Sequence, residues 1–311
     1  MSDQPLMIQL RPHQQQAVNA MWDNDRGQII VPTGGGKTIC MIDDAKTMMQ
    51  MGIQYGKTFV VVAPRILLAE QLCSEFLELI DTTHTHIMHV HSGETQHFST
   101  TKPDSIHMFA NTARTAGENV IIFTTYHSLH RVQEADIEVN TIYFDEAHNS
   151  VQRNFFPATE FFAGDADRKY FFTATPKHSL TVFKPGMNDP EVYGQVICNV
   201  PAPKLVEQGY ILPPKVVVKN LPTGDAKLTD CDNLLQTIDE QPLDKILIAA
   251  RSTKQIMRLV TQSNFCEEVE SRGYSWMHIT AKHGAIIDGV KVNRECFFET
   301  LNKWGQDPDK K

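Results

Sequence analysis

Two short stretches of this chain hold residue types that could do chemistry on a phosphate. In Val31-Pro32-Thr33-Gly34-Gly35-Gly36-Lys37-Thr38, three consecutive glycines run into a Lys-Thr pair. Glycines let backbone N–H groups turn inward around an anion, at the positive end of a following helix. Thr33, Gly34, Gly35 and Gly36 would wrap the phosphates of a nucleotide, ATP or GTP. Lys37 would reach the β- and γ-phosphates and the Thr38 hydroxyl would ligate Mg²⁺. The strict pattern G-x-x-x-x-G-K-[ST] has glycine where this chain has Val31. The second stretch, Asp145-Glu146-Ala147-His148, directly follows the apolar Thr141-Ile142-Tyr143-Phe144. Asp145 would hold Mg²⁺ through its water shell, and Glu146 would orient and deprotonate the water that attacks the γ-phosphate. An Asp-Glu pair alone is only an acidic strand end; an upstream phosphate loop gives it a partner.

Both stretches need particular elements behind them. Gln28–Val31 before the loop reads as a strand, and Met41, Ala45 and Met48 after it have helical spacing, the strand–loop–helix context that the motif requires. Further apolar runs at Thr58–Ala63, His86–His91, Asn119–Thr124, Thr141–Asp145 and Lys169–Thr173 alternate with helical patterns such as Leu68, Leu72, Phe76 and Leu79. Continuous Val/Ile/Phe runs of this kind predict strands covered on both faces, hence an α/β fold with a parallel sheet. In such a sheet a strand ending in Asp-Glu presents its carboxylates at the carboxyl edge, where ligands bind.

The length of 311 residues suits one large domain or two ordinary ones. The expected division is 1–212 for the nucleotide-binding domain, 213–242 for a linker rich in turn signals (Pro213-Pro214, Pro222–Asp225, Glu240–Pro242), and 243–311 for a shorter remainder. Lys245–Ala250 reads there as a strand, with a helix carrying Ile256, Leu259 and Val260 after it. Apolar content of 41% and charged content of 21% are those of a soluble globular protein, with no membrane partner expected. Met1–Pro5 has neither a basic start nor an apolar core. Six scattered cysteines without a C-x-x-C pair fit reduced, packed thiols. The expected compartment is therefore the cytoplasm, or nuclear or nucleoid DNA, and not a secreted one. A net charge of −8 neither advertises nor excludes a nucleic-acid partner, because binding depends on a local basic groove.

Taken together the motifs resemble those of superfamily 2 helicases and translocases of the DEAH type. Thr173-Ala174-Thr175-Pro176 is similar to the third motif of that family, and with His148 the resemblance implies that Thr173 and Thr175 couple ATP state to nucleic-acid grip. Leu10-Arg11-Pro12-His13-Gln14 matches the adenine-reading segment, placing Arg11 and Gln14 at the base; a Gln can pair with adenine N6 and N7, favouring ATP over GTP. Val62-Ala63-Pro64-Arg65 and Thr124-Thr125-Tyr126-His127-Ser128-Leu129 resemble segments that touch the nucleic-acid backbone, implying contacts from Arg65, Thr124, Thr125 and Tyr126. The wording of the motifs is most similar to the branch that includes type III restriction subunits and duplex-DNA translocases, so the implied partner is DNA in preference to RNA.

The resemblance covers roughly residues 6–220 and implies a RecA-like P-loop NTPase domain followed by an incomplete second RecA-like lobe. After residue 242 no Q-x-x-G-R-x-x-R-like run supplies the arginine finger of that lobe. The expectation is a truncated or split helicase, completed by a downstream segment or partner. The alternative is a non-hydrolysing module that binds ATP and DNA. The histidines at 84, 86, 89, 91 and 97 differ in strand parity and lack a completing carboxylate or thiol, so they are read as a solvated strand in preference to a metal site. Trp276 and Trp304 are read as packing residues before base-stacking ones.

Overall fold

Apolar runs and helical stretches alternate along the first two thirds of the chain, and the structure folds that alternation into one sheet. This computed structural model describes residues 9–51, 56–93, 95–181, 183–213, 215–220, 229–241, 243–280 and 282–311. Two compact units emerge, Met1–Pro214 and Lys215–Lys311. The expectations placed on Met1–Pro5, Pro214, Pro222–Asp225 and Pro242 lie outside the described residues.

In the first unit the strands are β1 (Arg26–Ile30), β2 (Thr58–Ala63), β3 (Thr85–Val90), β4 (Phe98–Ser99), β5 (Asn119–Thr125), β6 (Thr141–Phe144), β7 (Arg168–Thr173) and β8 (Val196–Asn199). They form one sheet in the order β4-β3-β5-β2-β6-β7-β1-β8, and every pairing is parallel. The fold is therefore α/β and RecA-like. The six runs expected as strands form within a residue or two of their predicted ends. β4 and β8 were not anticipated: they are edge strands of only two and four residues. The helices are α1 (Pro12–Trp22), α2 (Lys37–Gln50), α3 (Ile66–Leu79), α4 (Pro103–Thr115), α5 (Leu129–Glu134), α6 (Phe156–Asp165), α7 (Pro190–Tyr193) and α8 (Ala202–Glu207).

Strand parity splits the core in two. Val60, Val62, Ile142, Phe144 and Phe171 join one apolar cluster, while Phe59, Val61, Tyr143, Tyr170 and Phe172 join the other. Alternate side chains of a strand leave on opposite faces, so a strand such as β2, buried at all six positions, is apolar at every position but Thr58.

The second unit holds α9 (Asp230–Glu240), α10 (Thr253–Thr261), α11 (Phe265–Ser271), an antiparallel sheet of β9 (Met277–Thr280), β10 (Gly284–Ile287) and β11 (Val290–Val292), and α12 (Arg294–Gln306). Within 213–242, read from sequence as a linker, α9 is a capped helix. Thr229 and Asp232 bond each other's backbone N–H, and Cys231 and Ile238 pack with Phe265 and Val269. Lys245–Ala250 carries no ladder, and Leu247 is 95% exposed. An apolar run becomes a strand only where a neighbour supplies its hydrogen bonds, and the described strands of this unit pair among themselves. The turn between β10 and β11 is Asp288-Gly289, both at positive φ, as a tight hairpin requires. Trp276 rests on the small core of α9 and α11, with its indole N–H donated to Glu270. No helix among the described residues is long and apolar enough to cross a membrane.

Candidate nucleotide site

The glycine loop connects β1 to α2 at the carboxyl edge of the sheet. Gly34 and Gly36 sit at φ 79° and 82°, and Gly36 caps α2 in the left-handed conformation. A Cβ on Gly36 would lie 2.2 Å from the Gln14 side-chain nitrogen, and one on Gly35 would lie 2.5 Å from a Val31 methyl. This gives the Val31 departure a structural account. Its side chain is fully buried beneath Gly35, and its N–H donates to the Thr173 carbonyl, tying the loop to the end of β7. Thr33 is exposed and Thr38 half-buried.

β6 is the neighbour of β7 and carries the acidic pair out beside this loop. The Lys37 ammonium bonds the Glu146 carboxylate at 2.8 Å. The other oxygen of Glu146 lies 3.4 Å from His148 Nδ1, which is 3.0 Å from the Thr173 hydroxyl. Thr173 in turn accepts the backbone N–H of Thr175 at 3.2 Å. Lys37, Glu146, His148, Thr173 and Thr175 are thus brought together as one polar chain. Asp145 sits beside it. Burial pushes its carboxyl up to about 6, the Glu146 charge adds to this, and Lys37 opposes it. Glu146 itself is at φ 46°, a left-handed backbone that is rare for a side-chain-bearing residue.

Gln14 lies against the loop and Arg11 beside Gln14, three residues before it. The Gln14 carbonyl accepts the Arg11 N–H at 2.8 Å, and its amide donates to Gly35 O at 3.2 Å. Sequence reasoning missed three neighbours. His13 is buried with Nε2 2.8 Å from Gly35 O, and Leu205 and Ile211, from α8 and the turn after it, pack beside Gly35 and Gly34. His13 stood in the matched Leu10–Gln14 segment without a role, and only the apolar character of Leu205 and Ile211 signalled them, which does not distinguish a loop wall from ordinary core.

The expected nucleic-acid residues divide. Arg65 is exposed at the carboxyl end of β2, preceding α3. Thr124, Thr125 and Tyr126 are turned into the protein, which corrects the expectation of hydroxyl contacts from them. The Thr124 hydroxyl donates to Val90 O at 2.9 Å, and the Tyr126 hydroxyl donates to Asp145 O at 2.8 Å. The reason is position: β5 lies inside the sheet, so its last residues are covered on both faces. Tyr126 instead braces the acidic pair from below.

In the histidine-rich strand, His86 bonds Glu118 near the surface, while His89 and His91 are buried and bond each other at 2.9 Å. Among the described residues no group of three or more His, Cys, Asp or Glu converges as a metal site. The six cysteines are all free, four of them buried.

A sequence model of the type III restriction enzyme res subunit family matches residues 7–178. No curated protein matches the chain. Among solved structures, the ATP-dependent Type ISP restriction-modification enzyme LlaBIII, bound to DNA, is similar at TM-score 0.55 and 20% identity, covering 67% of this chain and 16% of that one. A nuclease-deletion mutant of the Type ISP enzyme LlaGI, in complex with a DNA substrate mimic, is similar at TM-score 0.53 and 20% identity, covering 75% of this chain and 23% of that one. The chain thus spans less than a quarter of the length of either enzyme, and the likeness is one of fold. With the family match extending from the adenine-side segment through the threonine motif, the chain belongs to the type III restriction enzyme res subunit family, and its first unit is a superfamily 2 helicase ATP-binding domain.

Proposed function

We propose that the chain is the ATP-binding part of a DNA translocase or helicase, taking ATP with Mg²⁺ at the glycine loop and hydrolysing it with Glu146 as general base. The observation that carries this reading is the continuous contact Lys37–Glu146–His148–Thr173, which joins a phosphate-seeking cation to a candidate base and to the threonine motif. Lys37 pairs with Glu146. A γ-phosphate would draw the ammonium away and leave the carboxylate free to take a proton from water. His148 then holds Glu146 in orientation and transmits its state to Thr173 and Thr175.

The donors suit a hard cation, since the Thr38 hydroxyl and the Asp145 carboxylate offer oxygen only. Thr38 and Asp145 would hold Mg²⁺, which when bound neutralises charge on the phosphate oxygens. Tyr126, by bonding Asp145 O, fixes where that carboxylate leaves the strand.

For the partner, the DNA named for both restriction-modification enzymes supports DNA over RNA. Arg65 is the side chain proposed to meet the backbone phosphates, in contacts that read no sequence. The same reading takes the second unit, α9 included, as part of a second lobe, whose antiparallel β9–β11 differs from the parallel opening expected of a RecA-like one, and has the arginine finger supplied from a further segment or a partner. Such an arginine is worth on the order of 10³–10⁵ in rate. A second reading is a non-hydrolysing module that binds ATP and DNA.

Steady-state ATPase assays with no polymer, single-stranded DNA, duplex DNA and RNA distinguish the two. Stimulation by duplex DNA is the expected result. Turnover that stays at background with all three polymers would sink the motor and leave the binding module.

A further inference from the structure

The sequence reading leaves the base side of the nucleotide site with Arg11 and Gln14 alone. The structure adds an aromatic ring, from a segment beyond residues 7–178 of the family match. Helix α8 ends at Glu207, the φ of 72° at Gly209 reverses the chain, and the N–H groups of Tyr210 and Ile211 both return to the Leu205 carbonyl. The reversal lays Ile211 and Leu205 along the glycine loop and leaves Tyr210 half-buried beside α1. There the Arg11 guanidinium lies 4.9 Å from the centre of the Tyr210 ring, and the His13 ring lies 5.4 Å away at 49°. His13 is 2% exposed, its Nε2 is held by Gly35 O, and its Nδ1 has no partner within the protein.

We propose that Tyr210 is the base-stacking residue of this site, with the nucleobase lying against the phenol ring and the Arg11 guanidinium closing over its other face. The proposal rests on the reading of the glycine loop as a nucleotide site. A planar cation over an aromatic face marks a ring surface open to another flat group. Arg11 is exposed and long enough to withdraw by the ~3.5 Å of one stacked layer. The two halves of base recognition then separate. Stacking on Tyr210 accepts any base, because every base has a π-face. Gln14, with one lone pair and one N–H left after its bonds to Arg11 and Gly35, carries the preference for adenine.

The test titrates the full chain and its Tyr210→Ala and Tyr210→Phe variants with ATP, GTP and inorganic tripolyphosphate, each with Mg²⁺. Tyr210→Ala should weaken ATP and GTP alike by about tenfold or more and leave tripolyphosphate unchanged, and Tyr210→Phe should restore both nucleotides. The proposal is overturned if Tyr210→Ala weakens tripolyphosphate as much as ATP, which would make the ring a wall of the phosphate loop. It is equally overturned if ATP and GTP binding do not change. A parent chain that bound neither ATP nor tripolyphosphate would sink the glycine-loop reading itself, and the stacking proposal with it.

Discussion

Glu146 is the residue on which the proposed chemistry converges, and its backbone is at φ 46°. A left-handed conformation is about 1–2 kcal/mol unfavourable for a residue with a Cβ. Here it turns the carboxylate back toward Lys37 while Asp145 stays on the strand axis. Two predictions belong at this scale. Lys37→Ala should abolish nucleotide binding, measured by titration with a fluorescent ATP analogue. Glu146→Gln should lower hydrolysis by about 10²-fold or more while nucleotide binding persists, because the amide cannot accept the water proton. The same change removes the charge that holds Lys37, so affinity for ATP should rise. If Glu146→Gln hydrolysed ATP at the parent rate, the base would have to be another group.

At the scale of elements, α2 and the strands behind it are joined by a buried polar knot. Asp44, two turns along α2 from the glycine loop, is fully buried; it accepts the Tyr143 hydroxyl at 2.6 Å and both terminal nitrogens of Arg168 at 2.8 and 2.9 Å. Tyr143 stands two residues before Asp145, so the knot ties the helix bearing Lys37 to the strand bearing the acidic pair. Removing one partner strands a charge out of water. Arg168→Leu should therefore cost about 3–5 kcal/mol in chemical denaturation, and Asp44→Leu combined with Arg168→Leu should cost less than the sum of the two.

The buried histidine pair at the end of β3 makes a pH prediction. Burial, with His91 and His97 beside it, pushes the His89 ring down to about 4, so the folded protein holds it neutral where the unfolded chain would protonate it. Its share of stability is complete above about pH 6.5 and is lost as pH falls toward 4. Unfolding midpoints in denaturant should decline across that window, and His89→Gln should flatten the decline.

At the scale of the molecule, the two units hold separate cores: the two large apolar clusters lie in the first, and the cluster around Phe265 and Val269 in the second. A chain shortened to the first unit should consequently unfold in one cooperative transition and keep its nucleotide affinity, measured by calorimetry and titration. A loss of both would show that the first core needs the second unit.

Much of the first unit was legible because its chemistry is local. A glycine loop needs its glycines at short fixed spacing and its helix immediately after, and a parallel strand covered on both faces is apolar along most of its length, so Gly34–Thr38, β2, β5, β6 and β7 announce themselves. In the second unit Asp288-Gly289, flanked by Ile and Val, was an equally local hairpin signal and went unread. Lys245–Ala250 misled for the opposite reason: its apolar residues favour a strand, but the ladder that makes one comes from elsewhere in the chain.

By itself, then, the sequence determined the glycine loop, the acidic pair and the parallel α/β fold, because each rests on residue types at short fixed spacings. Only the tertiary structure decided that Lys37 rests on Glu146, that Thr124 to Tyr126 face inward, and that Tyr210 stands beside Arg11. Those outcomes depend on which strands become neighbours and where a helix cap turns the chain, and such contacts join residues tens to hundreds of positions apart, between which no spacing rule operates.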